Sequence, residues 1–90
     1  MPGGRVVLVT QEGCNPCFRV KRLLDQILGE TEDVEVREVQ LSSEEGAELA
    51  VRHNILFPPA VIVDGRLVAK GKVLEKDLRL ALGAPPTAAR

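Results

Sequence analysis

Aromatic residues are almost missing from this chain of 90 residues: there is no Trp, no Tyr, and only Phe18 and Phe57, so any core must be aliphatic. A surplus of charge is missing too. Twelve Lys and Arg stand against 13 Asp and Glu, for a formal net charge of −1, and the two signs are interspersed. No field of one sign favours nucleic acid or an anionic membrane, which argues against either as a partner. Long apolar runs are absent, and a membrane span needs about 20 such residues. Val6-Val7-Leu8-Val9 near the start is too short for a secretory signal and has no small-residue cleavage site after it. The expected compartment is therefore the cytoplasm, where thiols stay reduced and a cysteine pair is catalytic or metal-binding rather than a permanent staple. Histidine occurs once, at His53, and cysteine twice, at Cys14 and Cys17, so the second ligand pair of a structural zinc site is lacking.

What is present fits one domain, expected to span residues 1–90 with its core at about 5–82 and a C-terminal tail at 83–90. A chain of this size buries only about 60–65% of its unfolded surface, enough for a thin core. Arg5 to Thr10 is β-rich and continuously apolar, the pattern of a strand buried on both faces. From Cys17 to Leu28 the positions Cys17, Val20, Leu24, Ile27 and Leu28 share one helical face, with Pro16 tolerated at its start and Gly29 as its stop. Val34, Val36, Val39 and Leu41 predict a second strand. Ser42 with Glu45 resembles a capping box opening a short helix to about Arg52, weakened by Gly46 and ended by Asn54. Phe57-Pro58-Pro59 interrupts regular structure. Ala60–Val63 and Arg66–Ala69 then form a hairpin about Asp64-Gly65. Val73, Leu74, Leu78, Ala81 and Leu82 mark a last amphipathic helix. The fold class is α/β: a four-stranded mixed sheet in the order β-α-β-α-β-β-α, with flanking helices.

Strand, Cys-x-x-Cys, helix is an order with a direct chemical use. The first turn of a helix offers unpaired N–H groups and the positive end of the macrodipole, which stabilise a thiolate. Cys14, ahead of that turn, is expected to be the exposed nucleophile. Cys17, within it, is expected to be buried and to resolve the mixed disulfide. A two-residue spacer brings the Cα atoms near the 5–6 Å or so that a disulfide needs. Pro16 removes a backbone donor and fixes φ. Three functions use such a pair. The first is exchange with protein disulfides, needing no metal or organic cofactor. The second is a metal-binding module, with the thiolates holding Cu(I) or sharing an iron–sulfur cluster across a dimer. The third is an adaptor whose disulfide is incidental. Copper-chaperone domains, however, carry Met two residues before the first Cys, where this chain has Glu12, and run β-α-β-β-α-β.

At Cys14-Asn15-Pro16-Cys17 and at Pro59-Ala60-Val61-Ile62-Val63-Asp64-Gly65 the chain resembles the thioredoxin/glutaredoxin family, over roughly residues 5–82. Proline third in the cysteine motif is thioredoxin-like; the shortness and the stretch from Pro59 to Gly71 are glutaredoxin-like. The resemblance implies a minimal thioredoxin-like fold and thiol–disulfide oxidoreductase activity in a monomer. Protein disulfides are then its substrates, and a reductase or low-molecular-weight thiol its electron donor. Cys14 corresponds to the family nucleophile, Cys17 to the resolving thiol, and Pro59 to a cis-proline facing the cysteines. In the family the residue before that proline grips an extended substrate through its backbone. Here it is Pro58, which has no N–H, at a cost on the order of 1 kcal/mol; Phe57 is placed to compensate by apolar contact. Asn15, Pro16, Pro58 and Pro59 thus complete the expected substrate-binding set. The chain departs from thioredoxins at Gly13, where they have Trp, and at Leu8, where they have a buried acid. It departs from glutaredoxins at Asn15-Pro16, where they usually have an aromatic residue, and at Lys70-Gly71 with Asp77, where they bind glutathione.

Other polar residues read as solvated. His53 lies at a helix end, Lys70 and Lys72 flank a glycine at a strand end, Arg19 and Lys21 face outward just past the motif, and Glu30 to Asp33 form an acidic turn.

Overall fold

The computed structural model describes residues 4–31 and 33–85. Its elements are β1 (Gly4–Thr10), α1 (Asn15–Leu28), β2 (Val34–Gln40), α2 (Glu44–His53), β3 (Ala60–Val63), β4 (Arg66–Lys70) and α3 (Glu75–Leu82). The expected fold class is the observed one. The four strands lie in the order β2-β1-β3-β4, with β2 parallel to β1 and the other neighbours antiparallel.

The continuous apolar run of β1 is explained by its central place, since alternate side chains must serve two different interiors. Val6 and Leu8 join Val20, Leu24 and Ile27 of α1, Val61 and Val63 of β3, and Val73 and Leu78, on one face. Val9 joins Val39, Leu49, Ile55, Ala60 and Ile62 on the other, beneath α2. Each fully buried Leu or Ile contributes about 1.5–3 kcal/mol relative to exposure, so two thin layers suffice without aromatic bulk. The β3–β4 turn has Asp64 at φ 51° and Gly65 at φ 82°, both in the left-handed region that a two-residue hairpin demands.

Several local expectations are corrected. Helix α1 begins at Asn15, with Pro16 in its first turn as expected, and Cys14 itself is the N-cap. Helix α2 is capped by Ser43 rather than Ser42: its Oγ accepts from the Gly46 N–H at 2.9 Å. Glu45 does not complete a capping box. It pairs instead with Arg37 of β2, which holds its carboxyl below the usual range. Gly46 is not simply a weak point: it is buried, and a Cβ there would meet the Leu41 backbone at 2.8 Å and collide with the Gln40 carbonyl. Helix α3 starts at Glu75, so Val73 enters the core from the preceding loop, and Leu74 is 39% exposed. Ala81 is exposed and Arg79 is buried, so the inward stripe of α3 is rotated from the expected one.

Arg79 is one of two buried polar residues among those described, and each nitrogen of its guanidinium has a hydrogen-bond partner. Nη1 donates to Glu30 Oε1 at 2.6 Å and to the Pro85 carbonyl at 2.9 Å, and Nε donates to Glu75 Oε2 at 2.8 Å. The turn at Glu30 is therefore not merely solvated. It closes the far end of α1 onto α3, and Arg79 lowers the Glu30 pKa through that hydrogen bond.

Candidate active site

The site is assembled at one end of the sheet. β1 ends at Thr10, and Glu12-Gly13 turns the chain, with Gly13 at φ 74° where a side chain would be strained. The turn is closed by the Cys14 N–H donating to the Gln11 carbonyl at 3.2 Å. It delivers Cys14 to the N-cap of α1, where its sulfur accepts from the Cys17 N–H at 3.1 Å. A side chain that normally would be Ser or Asp is replaced there by sulfur, so one of the helix's unpaired donors points at it. Asn15 and Pro16, the first two helical residues, are exposed, and the proline costs no hydrogen bond at that place. Cys17 is 2% exposed and lies on the same stripe as Val20 and Leu24; Cys14 is half-buried. The two form a disulfide with Cα atoms 5.2 Å apart.

Pro58 and Pro59 come to the same end from the neighbouring strand. Val9 of β1 pairs with Ala60 of β3, so the cysteine turn leaves the sheet beside the point where Pro59 enters it. The Pro58–Pro59 peptide is cis, Pro59 is buried, and its carbonyl accepts from the Gly71 N–H at 2.7 Å. Lys70 Nζ donates to the Asn54 carbonyl at 2.8 Å, so this lysine braces the loop ahead of Pro58 instead of standing free in solvent. Asn54, Leu56, Phe57, Lys70 and Gly71 line a cavity of about 160 Å³. Large apolar side chains are left exposed on these two segments: Phe18 is 55% exposed, Phe57 63% and Leu56 78%. Arg19 also departs from the solvated reading, because its Nη2 donates to the Val73 carbonyl at 3.3 Å and ties α1 to the loop before α3.

One constellation went unread in the sequence. Thr10, buried at 3% exposure, donates its hydroxyl to Glu38 Oε2 at 2.7 Å, and Lys21 Nζ lies 3.1 Å from Glu38 Oε1. These contacts, the Thr10 hydrogen bond first and Lys21 second, hold the Glu38 carboxyl below its ordinary pKa. Glu38 follows Val34 and Val36 on one face of β2 and lies across from Leu8, but it drew no reading from the sequence. A polar Thr closing an otherwise apolar strand was the one signal that a buried partner was needed.

Among the described residues no group of three or more His, Cys, Asp or Glu gathers as a metal site. No helix of the described residues is long and apolar enough to cross a membrane.

A central β1 flanked by β2 and β3, a disulfide at the N-terminus of the first helix, and a cis-proline beside it define a thiol–disulfide oxidoreductase of the thioredoxin-like fold. The profile of the thioredoxin domain family matches residues 5–81, and the chain belongs to that family. A mutant of the thioredoxin-like protein BC3987 superposes with a TM-score of 0.69 at 23% identity, covering 89% of this chain and 96% of that one. Oxidised mitochondrial thioredoxin 3 from Saccharomyces cerevisiae gives 0.61 at 19% identity, covering 90% of this chain and 76% of that one. A wheat glutaredoxin gives 0.57 at 22% identity, covering 91% and 83% respectively. Comparison with curated protein sequences finds no match.

Proposed function

We propose that the chain is a protein-disulfide reductase working through Cys14 and Cys17, as one monomeric domain in the reducing cytoplasm. The observation that carries this reading is the Cys14 sulfur at the N-cap of α1, receiving the Cys17 N–H at 3.1 Å while Cys17 itself is buried. In the reduced protein the same N–H and the helix dipole favour a thiolate at Cys14. That thiolate attacks one sulfur of a substrate disulfide. The Cys14–substrate bond forms, the substrate S–S bond breaks, and the departing sulfur takes up a proton. Cys17 then loses its proton and attacks the Cys14 sulfur, expelling the second substrate thiol and closing Cys14–Cys17. Two electrons and two protons have passed to the substrate, and a reductase or a low-molecular-weight thiol returns the pair to the dithiol.

Asn15 and Pro16 shape the exposed lip of the motif. Pro58 and Pro59 shape the facing wall, where Pro58 offers a substrate strand its carbonyl but no N–H. Phe57, Leu56 and Phe18 support an apolar contact in its place.

The test is reduction of insulin with dithiothreitol as donor. The wild type accelerates it, Cys14→Ser abolishes the acceleration, and Cys17→Ser accumulates a mixed disulfide through Cys14 visible by intact mass. A wild type no faster than dithiothreitol alone, or a Cys17→Ser protein that forms no adduct, overturns the proposal.

A further inference from the structure

The chain between α2 and β3 is held at its two ends and bare between them. At the first end a single peptide group, the Asn54 carbonyl with the Ile55 N–H, is bonded on both sides. Its N–H donates to the Ala50 carbonyl at 2.9 Å, and its oxygen accepts from Lys70 Nζ at 2.8 Å. At the second end the Pro59 carbonyl accepts from the Gly71 N–H at 2.7 Å. Lys70 closes β4 and Gly71 follows it, so two consecutive residues fasten both ends of the loop. Ile55 is buried beside Val9 and Ile62. Between these anchors, and among the described residues, neither Leu56 nor Phe57 makes a hydrogen bond, and both side chains are exposed. Their direction is set by the peptide group from which they leave. Lys70 is well suited to fix that group. Asn54 is the C-cap of α2, with φ 56°, and a cation at the C-terminal end of a helix gains from the macrodipole as well as from the hydrogen bond. Lys72, two residues on, makes no side-chain hydrogen bond or ion pair among the described residues.

Resting on the reductase reading above, we infer that Lys70 is a positioning residue: it fixes how Leu56 and Phe57 meet a polypeptide substrate, and so favours polypeptide disulfides over small ones. Pro58 has no N–H to give a substrate strand, which leaves more of the grip to apolar contact. Such contact yields most affinity where the side chains are held in place before binding. Asn54, Leu56, Phe57, Lys70 and Gly71 line the cavity of about 160 Å³. A dry cavity of about 150 Å³ holds a benzene molecule, so there is room for one large apolar side chain. A substrate disulfide with such a residue near it in the chain engages the loop. A disulfide without a flanking chain meets only the cysteine motif. Lys70 takes no part in the electron transfer itself.

The test is single-turnover reduction, by the prereduced protein, of insulin and of 2-hydroxyethyl disulfide, which is neutral and has no flanking chain. Lys70→Met keeps the length of the stem and drops the ammonium. It is expected to raise the half-saturating insulin concentration roughly three- to tenfold, the worth of one hydrogen bond, with the limiting rate and the rate on the small disulfide within about twofold of wild type. Lys70→Arg is expected to restore most of the loss. Lys72→Met removes the same charge nearby and is expected to change nothing. Hydrogen exchange of the Ile55 amide reads the brace without turnover, and is expected to accelerate in Lys70→Met and not in Lys72→Met. A wild type that reduces neither disulfide overturns the reductase reading and this inference with it. With a wild type active on both, a Lys70→Met protein that slows both alike, that slows neither, or that Lys72→Met matches overturns this inference alone. An Ile55 amide whose exchange Lys70→Met leaves unchanged does the same.

Discussion

Replacing Gly46 by Ala separates two physical arguments by the sign of the outcome. Helix propensity alone says that Ala in place of Gly inside a helix gains about 1 kcal/mol. The structure says the opposite, because α2 passes so close to the end of β2 that the new Cβ would collide with the Gln40 carbonyl and lie 2.8 Å from the Leu41 backbone. Those are main-chain atoms of a strand end and its turn, and they cannot swing aside as a flexible side chain would. Overpacking of this kind costs about 1–3 kcal/mol, and relief requires α2, with its Leu49, to lift from Val9 and Val39. Setting the propensity gain against it leaves a net loss of up to about 2 kcal/mol, or roughly 4–8 °C in Tm per kcal/mol for a domain of this size. Thermal unfolding of the oxidised wild type and of Gly46→Ala, followed by far-ultraviolet circular dichroism, reads the difference. A Tm raised by the substitution would refute the close approach of α2 to β2.

Two further outcomes follow from the corrected local structure. Ser43→Ala is expected to cost about 0.5–2 kcal/mol in urea unfolding by removing the cap on α2, while Ser42→Ala leaves the midpoint unchanged; the reverse ranking would restore the rejected cap. Acid should destabilise the protein through Glu30, Glu38 and Glu45, whose pKa values are all lowered from 4.5 by Arg79, by Thr10 with Lys21, and by Arg37 respectively. Because the folded pKa lies below the unfolded one, their stabilisation is complete above about pH 4.5 and is lost as pH falls through the folded values. Urea midpoints measured downward from pH 6 should decline below that point, and less steeply in Glu30→Gln; an identical decline would show that Glu30 contributes nothing.

Much of this architecture was legible because its signals are local and mutually consistent. A run apolar on both faces marked β1, the 3.6-residue stripe through Val20, Leu24 and Ile27 marked α1, and Asp64-Gly65 marked the hairpin. The cysteine pair was legible for the same reason, since a strand, a tight turn and a helix start are all written within a dozen or so residues. What escaped depends on distant packing. Two adjacent serines offer equal caps, and only the path of β2 into α2 selects Ser43. Gly46 looks like a flaw until Gln40 is placed against it. Arg79, set between Leu78 and Leu80, drew no reading from the sequence, although its spacing of four from Glu75 permits an ion pair and Glu30 arrives from the end of another helix. Glu38 shares a strand face with Val34 and Val36, and its charge hides that it lies across from Leu8 on the α1 side, where Thr10 and Lys21 hold it.

The measurement that bears most directly on the site is the pKa of the Cys14 thiol in the reduced protein, read from the pH dependence of its alkylation with Cys17→Ser as the background. A sulfur held at the positive end of α1 beside the Cys17 N–H is expected to ionise well below the free-cysteine value of about 8.5, near 7 or lower. A Cys14 that titrates at the free-cysteine value would contradict the account, because the helix terminus would then confer no activation on the residue assigned to attack.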